Sequence, residues 1–142
     1  MRILILCYEY PPVGGGGGRV AAQVAAKLAE RDHKVRVITA GMRHLPRHER
    51  RDTVEILRPE SFRRREDTCS VPEMGSYILT SVIPVLRTAW SWRPDVIHAH
   101  FAVPSGALAL VARVFAGTPY VLTAHLGDVP GGVPEQTGHL FR

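Results

Sequence analysis

Five short apolar runs punctuate the chain at residues 3–8, 35–39, 54–57, 96–99 and 120–123, each rich in β-branched residues and bounded by turn-forming or charged ones. Runs of this length predict strands buried on both faces, as in a parallel sheet. Between them the spacing changes to that of a helix. Val20, Val24 and Leu28, with alanines between them, form one apolar face, while Gln23, Lys27, Glu30 and Arg31 turn to water. Ile78, Val82, Val85 and Leu86 form a second face, and residues 107–115 a third that is almost wholly apolar. The order β-α-β-β-α-β-α-β predicts an α/β fold, a Rossmann-like, doubly wound and mostly parallel sheet with helices on both faces. Ligands of such a sheet lie at the carboxyl ends of its strands.

Five consecutive glycines, residues 14–18, stand between the first strand and the first helix. A side-chain-free loop lets a ligand reach the backbone, and a helix start offers unpaired N–H groups at the positive end of its dipole, an arrangement suited to phosphate. Neither common nucleotide fingerprint is present. A dinucleotide loop built on Gly14 and Gly16 would need glycine at Arg19, and a carboxylate at the end of the second strand, where Thr39, Ala40 and Gly41 stand. A nicotinamide cofactor is therefore disfavoured. No Gly-Lys-Ser or Gly-Lys-Thr follows the glycines, which disfavours a P-loop as well.

Three of the seven histidines end strands: His98 and His100 in Asp95-Val-Ile-His-Ala-His-Phe101, and His125 in Leu122-Thr-Ala-His-Leu-Gly-Asp128. His98 and His100 share one face of their strand, a spacing a metal could use, but no third ligand accompanies them and no metal is expected. His125 reaches the ligand-bearing edge, where a neutral imidazole can bond hydroxyls or pyrophosphate oxygens and handle protons near neutral pH. His33 lies in a turn at the opposite edge, with a structural role. No Gly-x-Ser-x-Gly elbow and no pair of carboxylates speaks for hydrolysis.

The length of 142 residues and 45% hydrophobic content suit one domain, and the formal charge of +5 favours an acidic partner. Much of that charge lies in residues 42–65, which include Arg43, Arg47, Arg50, Arg51 and the triplet Arg63, Arg64 and Arg65. This stretch reads as a solvated, mobile surface around a short strand, with an anionic-substrate patch or a peripheral membrane contact as the alternatives. Nucleic acid is not expected, because only Phe62 is at hand to stack on a base. Cys7 reads as a small buried thiol, and neither it nor Cys69 belongs to a CxxC pair, which fits a reducing, cytoplasmic setting. The opening apolar run is too short for a signal peptide, and residues 74–92 are broken by Pro84 and Arg87, so no membrane span is expected. Residues 127–138 read as a turn-rich loop.

Taken in order, Tyr10-Pro-Pro-Val-Gly-Gly-Gly16, Val24-Ala25 with Leu28, Arg31-Asp-His-Lys-Val-Arg-Val-Ile-Thr39, and the two histidine segments resemble the N-terminal domain of GT4-type retaining glycosyltransferases of the GT-B fold. The resemblance spans nearly all of residues 1–142. It implies one half of a two-domain enzyme: an acceptor-side domain, with a nucleotide-sugar donor held mainly by a C-terminal domain that has no counterpart in these residues. It further implies that Gly15 and Gly16 approach the donor diphosphate, that His125 approaches the reacting sugar, and that His100 and Asp128 line the same cleft. Transfer to a hydroxyl acceptor would proceed with retention and without a bound metal or other cofactor, and the chain by itself would be inactive. Two positions depart from the family pattern: Asp32 stands where glycine usually precedes the turn histidine, and Leu126 stands where glycine commonly follows the site histidine. The competing expectation is a non-catalytic binding or assembly module that docks on a membrane or partner through the basic segment.

Overall fold

Pairing of the β-branched runs organises the molecule, which a computed structural model describes over residues 1–128. In chain order the strands are β1 (Arg2–Leu6), β2 (Lys34–Ile38), β3 (His48–Arg51), β4 (Val54–Leu57), β5 (Val96–His100) and β6 (Tyr120–Thr123). The helices are α1 (Gly16–Glu30), α2 (Val71–Ser91) and α3 (Ala107–Ala116). The strands lie side by side in the order β3-β4-β2-β1-β5-β6, all pairs parallel except β3 with β4. The expected Rossmann-like sheet is therefore present. From β1 the chain winds outward through α1 to β2, then α2 carries it back across to β5. Right-handed crossovers put helices reached by opposite windings on opposite faces, and α2 and α3 share theirs.

The winding reverses between β1 and β5, and the carboxyl edge at such a reversal is where ligands of doubly wound sheets lie. Register aligns that edge, since Leu6 pairs with Ile38 on one side and Ala99 on the other. Beneath it lies the core: Leu4, Ile5, Leu6, Val37, Ile38, Ile56 and Ile97 are fully buried. Each such side chain contributes about 1.5–3 kcal/mol through removal from water. Cys7 continues this core, its thiol donating to the Glu9 carbonyl at 2.7 Å and pushed up to about 12 by burial.

The basic stretch departs from its expectation of a solvated surface. His48–Arg51 forms β3, an antiparallel edge strand with no apolar alternation to announce it, because an edge strand needs only backbone pairing and charged side chains suit its outer rim. Within the same stretch Arg58 and Arg63 are 1% and 5% exposed. Their burial is sustained by partners. Arg58 donates to the Glu49 carboxylate at 2.6 Å and the Pro11 carbonyl at 3.3 Å. Arg63 donates to the carbonyls of Arg65 at 2.9 Å, Glu66 at 3.1 Å and Tyr8 at 3.4 Å. A buried guanidinium whose N–H groups are met in this way avoids most of its desolvation penalty.

The first helix also differs from the pattern. It starts at Gly16, and its buried stripe is Gly18, Ala21 and Ala25, while Val20 is exposed. Small residues win because the strand-end loop crosses close by: a Cβ on Gly18 would lie 2.8 Å from the Glu9 carbonyl oxygen. In α2 the deepest positions are Tyr77, Ser81 and Val85, with Ile78 and Val82 only partly covered. No helix among the described residues is long and apolar enough to cross a membrane. Asp32, at the departure from the family glycine, has φ of 63°, the left-handed conformation that glycine adopts most readily. The Gly127–Gly138 loop expected from the sequence lies outside the described residues apart from its first two positions. Gly18→Ala is expected to lower stability by about 1–3 kcal/mol through that backbone clash, read as a fall in the urea midpoint at unchanged m-value.

Candidate functional site

Strand β1 delivers its chain to the crevice through Cys7, Tyr8 and Glu9. The Tyr8 amide donates to the Ser105 hydroxyl at 3.1 Å, which ties the end of β1 to the turn after β5. The Glu9 carboxylate then reaches the glycine loop, accepting the Gly15 N–H at 3.1 Å, with Arg63 at 3.7 Å on its other side. Gly15 caps α1 and Gly16 is its first residue. Both backbones face open space, for a Cβ at either would meet nothing within 4 Å. Gly17 is different. A Cβ there would run into the Phe101 ring, which would have to shift, so glycine lets the loop pass close over it.

Phe101 follows β5 with φ of 74°, in the left-handed region that costs a side-chain-bearing residue about 1–2 kcal/mol. Such strain persists where neighbours enforce it. Its ring meets Tyr8 at 4.9 Å, edge to face, and His125 at 4.4 Å between centroids. Phe101 is thus the shared wall between the glycine loop and His125. Sequence patterning did not single it out, since a lone aromatic after a strand carries no periodic signal. Tyr8, Glu9 and Arg63 were likewise not singled out for the site, because their roles depend on loops that meet only in the folded chain.

The three strand-end histidines form one column. The rings of His98 and His100 lie 4.2 Å apart, as their shared face predicts, and those of His100 and His125 5.4 Å. His98 Nε2 pairs with the Thr123 hydroxyl at 2.8 Å, and His100 Nδ1 with His125 Nε2 at 3.1 Å. Burial, then the neighbouring rings, hold His98 below its usual range and push His100 down to about 4. His100 is consequently neutral at physiological pH. Its Nε2 is buried without a partner among the described residues, and a buried N–H without an acceptor is costly. The favoured tautomer therefore carries the proton on Nδ1, donated to His125 Nε2. That leaves the His125 proton on Nδ1. His125 would then offer a hydrogen-bond donor, while His100 orients it.

Asp128 closes the turn that carries His125: its carboxylate accepts the His125 amide at 2.9 Å, and its own amide donates to the His125 carbonyl at 2.8 Å. The structure thus gathers His100, His125 and Asp128 at one strand edge, and the loop that carries Gly15 and Gly16 meets the Phe101 ring beside His125 through Gly17. Leu126 begins the short turn and is exposed. Among the described residues no group of three or more His, Cys, Asp or Glu stands at metal-binding geometry. The pH response of stability follows from His100. Its folded pKa lies below the unfolded value near 6.5, so between about 4 and 6.5 the unfolded chain binds the extra proton. Stability is expected to hold above pH 6.5 and to fall by up to roughly 3 kcal/mol as pH drops through this window. Urea titrations across it should show a steeper loss for the native chain than for His100→Gln.

Residues 15–142 match the family model of the glycosyl transferase 4-like domain. The glycogen synthase of Mycobacterium tuberculosis is 34% identical over 140 residues, covering 88% of this chain and 33% of that protein. The 2-deoxystreptamine N-acetyl-D-glucosaminyltransferase of Streptomyces fradiae is 33% identical over 128 residues, covering 82% of this chain and 29% of that protein. The sucrose-phosphate synthase structure from Thermosynechococcus elongatus superposes with a TM-score of 0.75 at 18% identity, covering 96% of this chain and 36% of its own, a likeness of fold. The chain spans about a third of the length of the curated relatives it matches. The crossover pattern, the site at its reversal and the family match agree: the chain belongs to the glycosyl transferase 4-like family.

Proposed function

We propose that this chain supplies the acceptor-side domain of a retaining glycosyltransferase, which moves a sugar from a nucleotide-sugar donor to a hydroxyl without a resident metal. The observation that carries the reading is that the glycine loop, through Gly17, and His125 both lie against one ring, Phe101. A diphosphate beside Gly15 and Gly16 would find side-chain-free backbone and the positive end of α1, which favour the charge that grows as it departs. Glu9 holds the Gly15 amide in the free chain, so a phosphate takes that amide by displacing a carboxylate. His125, oriented by His100, would donate to a sugar or phosphate oxygen. In the overall transfer the bond from sugar carbon to diphosphate oxygen breaks, the bond to the acceptor oxygen forms, and the acceptor hydroxyl gives its proton to the departing diphosphate.

Donor recognition in this reading belongs to a second domain, C-terminal to these residues, so residues 1–142 alone turn over no donor. The named relatives differ in what they glycosylate, and kinship therefore leaves the acceptor open. In a protein that joins these residues to a donor domain, His125→Ala is expected to lower kcat by roughly 10²- to 10⁴-fold, measured by nucleoside diphosphate release. Unchanged turnover, with partner binding lost when the exposed Arg64 and Arg65 are neutralised, would instead support the docking-module reading.

A further inference from the structure

A second concavity lies along the same sheet edge, beyond β2 and β4, with a volume of about 1110 Å³. The loop after β2 and the loop between β4 and α2 form its walls. Its lining includes six arginines, Arg43, Arg47, Arg58, Arg63, Arg64 and Arg65, against two glutamates, Glu60 and Glu73. Such a volume is at the upper end of small-molecule sites. Nothing in the transfer reading above accounts for so many guanidinium groups in one hollow.

The arginines divide by what already holds them. Arg58 and Arg63 are buried and fixed, so they set a rigid positive wall, and the Arg58 Nε is itself buried without a hydrogen-bond partner among the described residues. Arg47 and Arg65 sit in exposed pairs with Glu60 and Asp67, each at 2.9 Å. Exposed pairs of this kind are weak and exchange readily for a better anion. Arg43 and the Arg64 guanidinium lie exposed on the lining and make no hydrogen bond or ion pair among the described residues. Of the two glutamates, Glu73 already serves the backbone, accepting the amides of Ser70 at 2.6 Å and Arg64 at 2.9 Å. The hollow is therefore a field of positive charge with two free forks at its mouth, a pattern that matches phosphate or carboxylate oxygens.

Its position relates it to the transfer crevice. Arg63 belongs to the cleft wall, packs over the Tyr8 ring at 5.6 Å, and faces Glu9 of the glycine loop. Tyr8 in turn meets Phe101, which meets His125. We propose that this basic cleft binds the anionic group of a small acceptor, a phosphorylated or carboxylated sugar or polyol, and holds the rest of it towards His125. The proposal rests on the glycosyltransferase reading for the word acceptor; the anion site itself stands on the cleft alone. A membrane surface is the lesser fit, because the arginines line a hollow and Phe62 is the one exposed large apolar residue on its lining.

The test is calorimetric titration of the chain with glucose 6-phosphate, with inorganic phosphate and glucose in parallel, together with sedimentation on phosphatidylglycerol vesicles. The native chain should bind glucose 6-phosphate saturably and glucose not at all. Arg43→Gln with Arg64→Gln, at exposed positions whose guanidinium groups have no partners to lose, should keep the native circular dichroism and weaken binding about tenfold or more. No binding by a folded native chain, or binding indifferent to both substitutions, would overturn the site. Binding to vesicles without binding to the soluble phosphates would overturn it in favour of a membrane. Failure of His125→Ala to affect transfer, with arginine-dependent binding intact, would remove the transferase reading and leave the anion site standing.

Discussion

A single strained residue, Phe101, holds the two sides of the crevice together. Its left-handed backbone turns the chain off the end of β5 and swings the ring under the glycine loop, against Tyr8 and beside His125. Other features fit around that ring. Gly17, with no side chain, passes close over it, and the turn closed by Asp128 keeps His125 beside it. The glycine loop, through Gly17, and the imidazole of His125 are thus both set against one aromatic ring.

Charge is arranged by the same logic of enforced neighbours. The basic segment is half scaffold: Arg58 and Arg63 are withdrawn from water and held by carbonyls and Glu49, which pins the loop after β4 to the loop after β1. Losing one of their partners would strand a buried cation, a larger penalty than loss of a surface pair. The exposed arginines nearby are held loosely or not at all, and they face a hollow. Rigid and free cations side by side are what a site for an anion requires, since the fixed ones keep its shape and the free ones supply its hydrogen bonds.

β1 was legible because burial on both faces leaves an uninterrupted apolar run, whereas β6 keeps an apolar run although it lies at the sheet edge with Tyr120, Val121 and Leu122 exposed, so its expected burial does not hold. β3 was not legible, for His48-Glu-Arg-Arg51 has no burial pattern and pairs by backbone alone. The depth of α1 was misjudged at Val20 because close approach to Glu9 favours Gly18, Ala21 and Ala25, a preference set by a neighbouring loop. The same reason hid Arg58 and Arg63, whose contacts with Pro11 and Tyr8 join distant parts of the chain. His98 and His100 showed their shared face in the spacing itself, whereas their pairing with Thr123 and His125 depended on the register of β5 against β6. Phe101 carried no signal short of the fold.

The account stands on one crevice serving one ligand. Nuclear magnetic resonance of a labelled protein that joins these residues to a donor domain, titrated with the nucleotide-sugar that domain binds, tests this directly, by following the amides of Gly15 and Gly16 and the ring protons of His125. One binding curve shared by loop and imidazole, at a common Kd, is the predicted result. Saturation of the loop amides with the His125 ring unmoved, or the reverse, would contradict it.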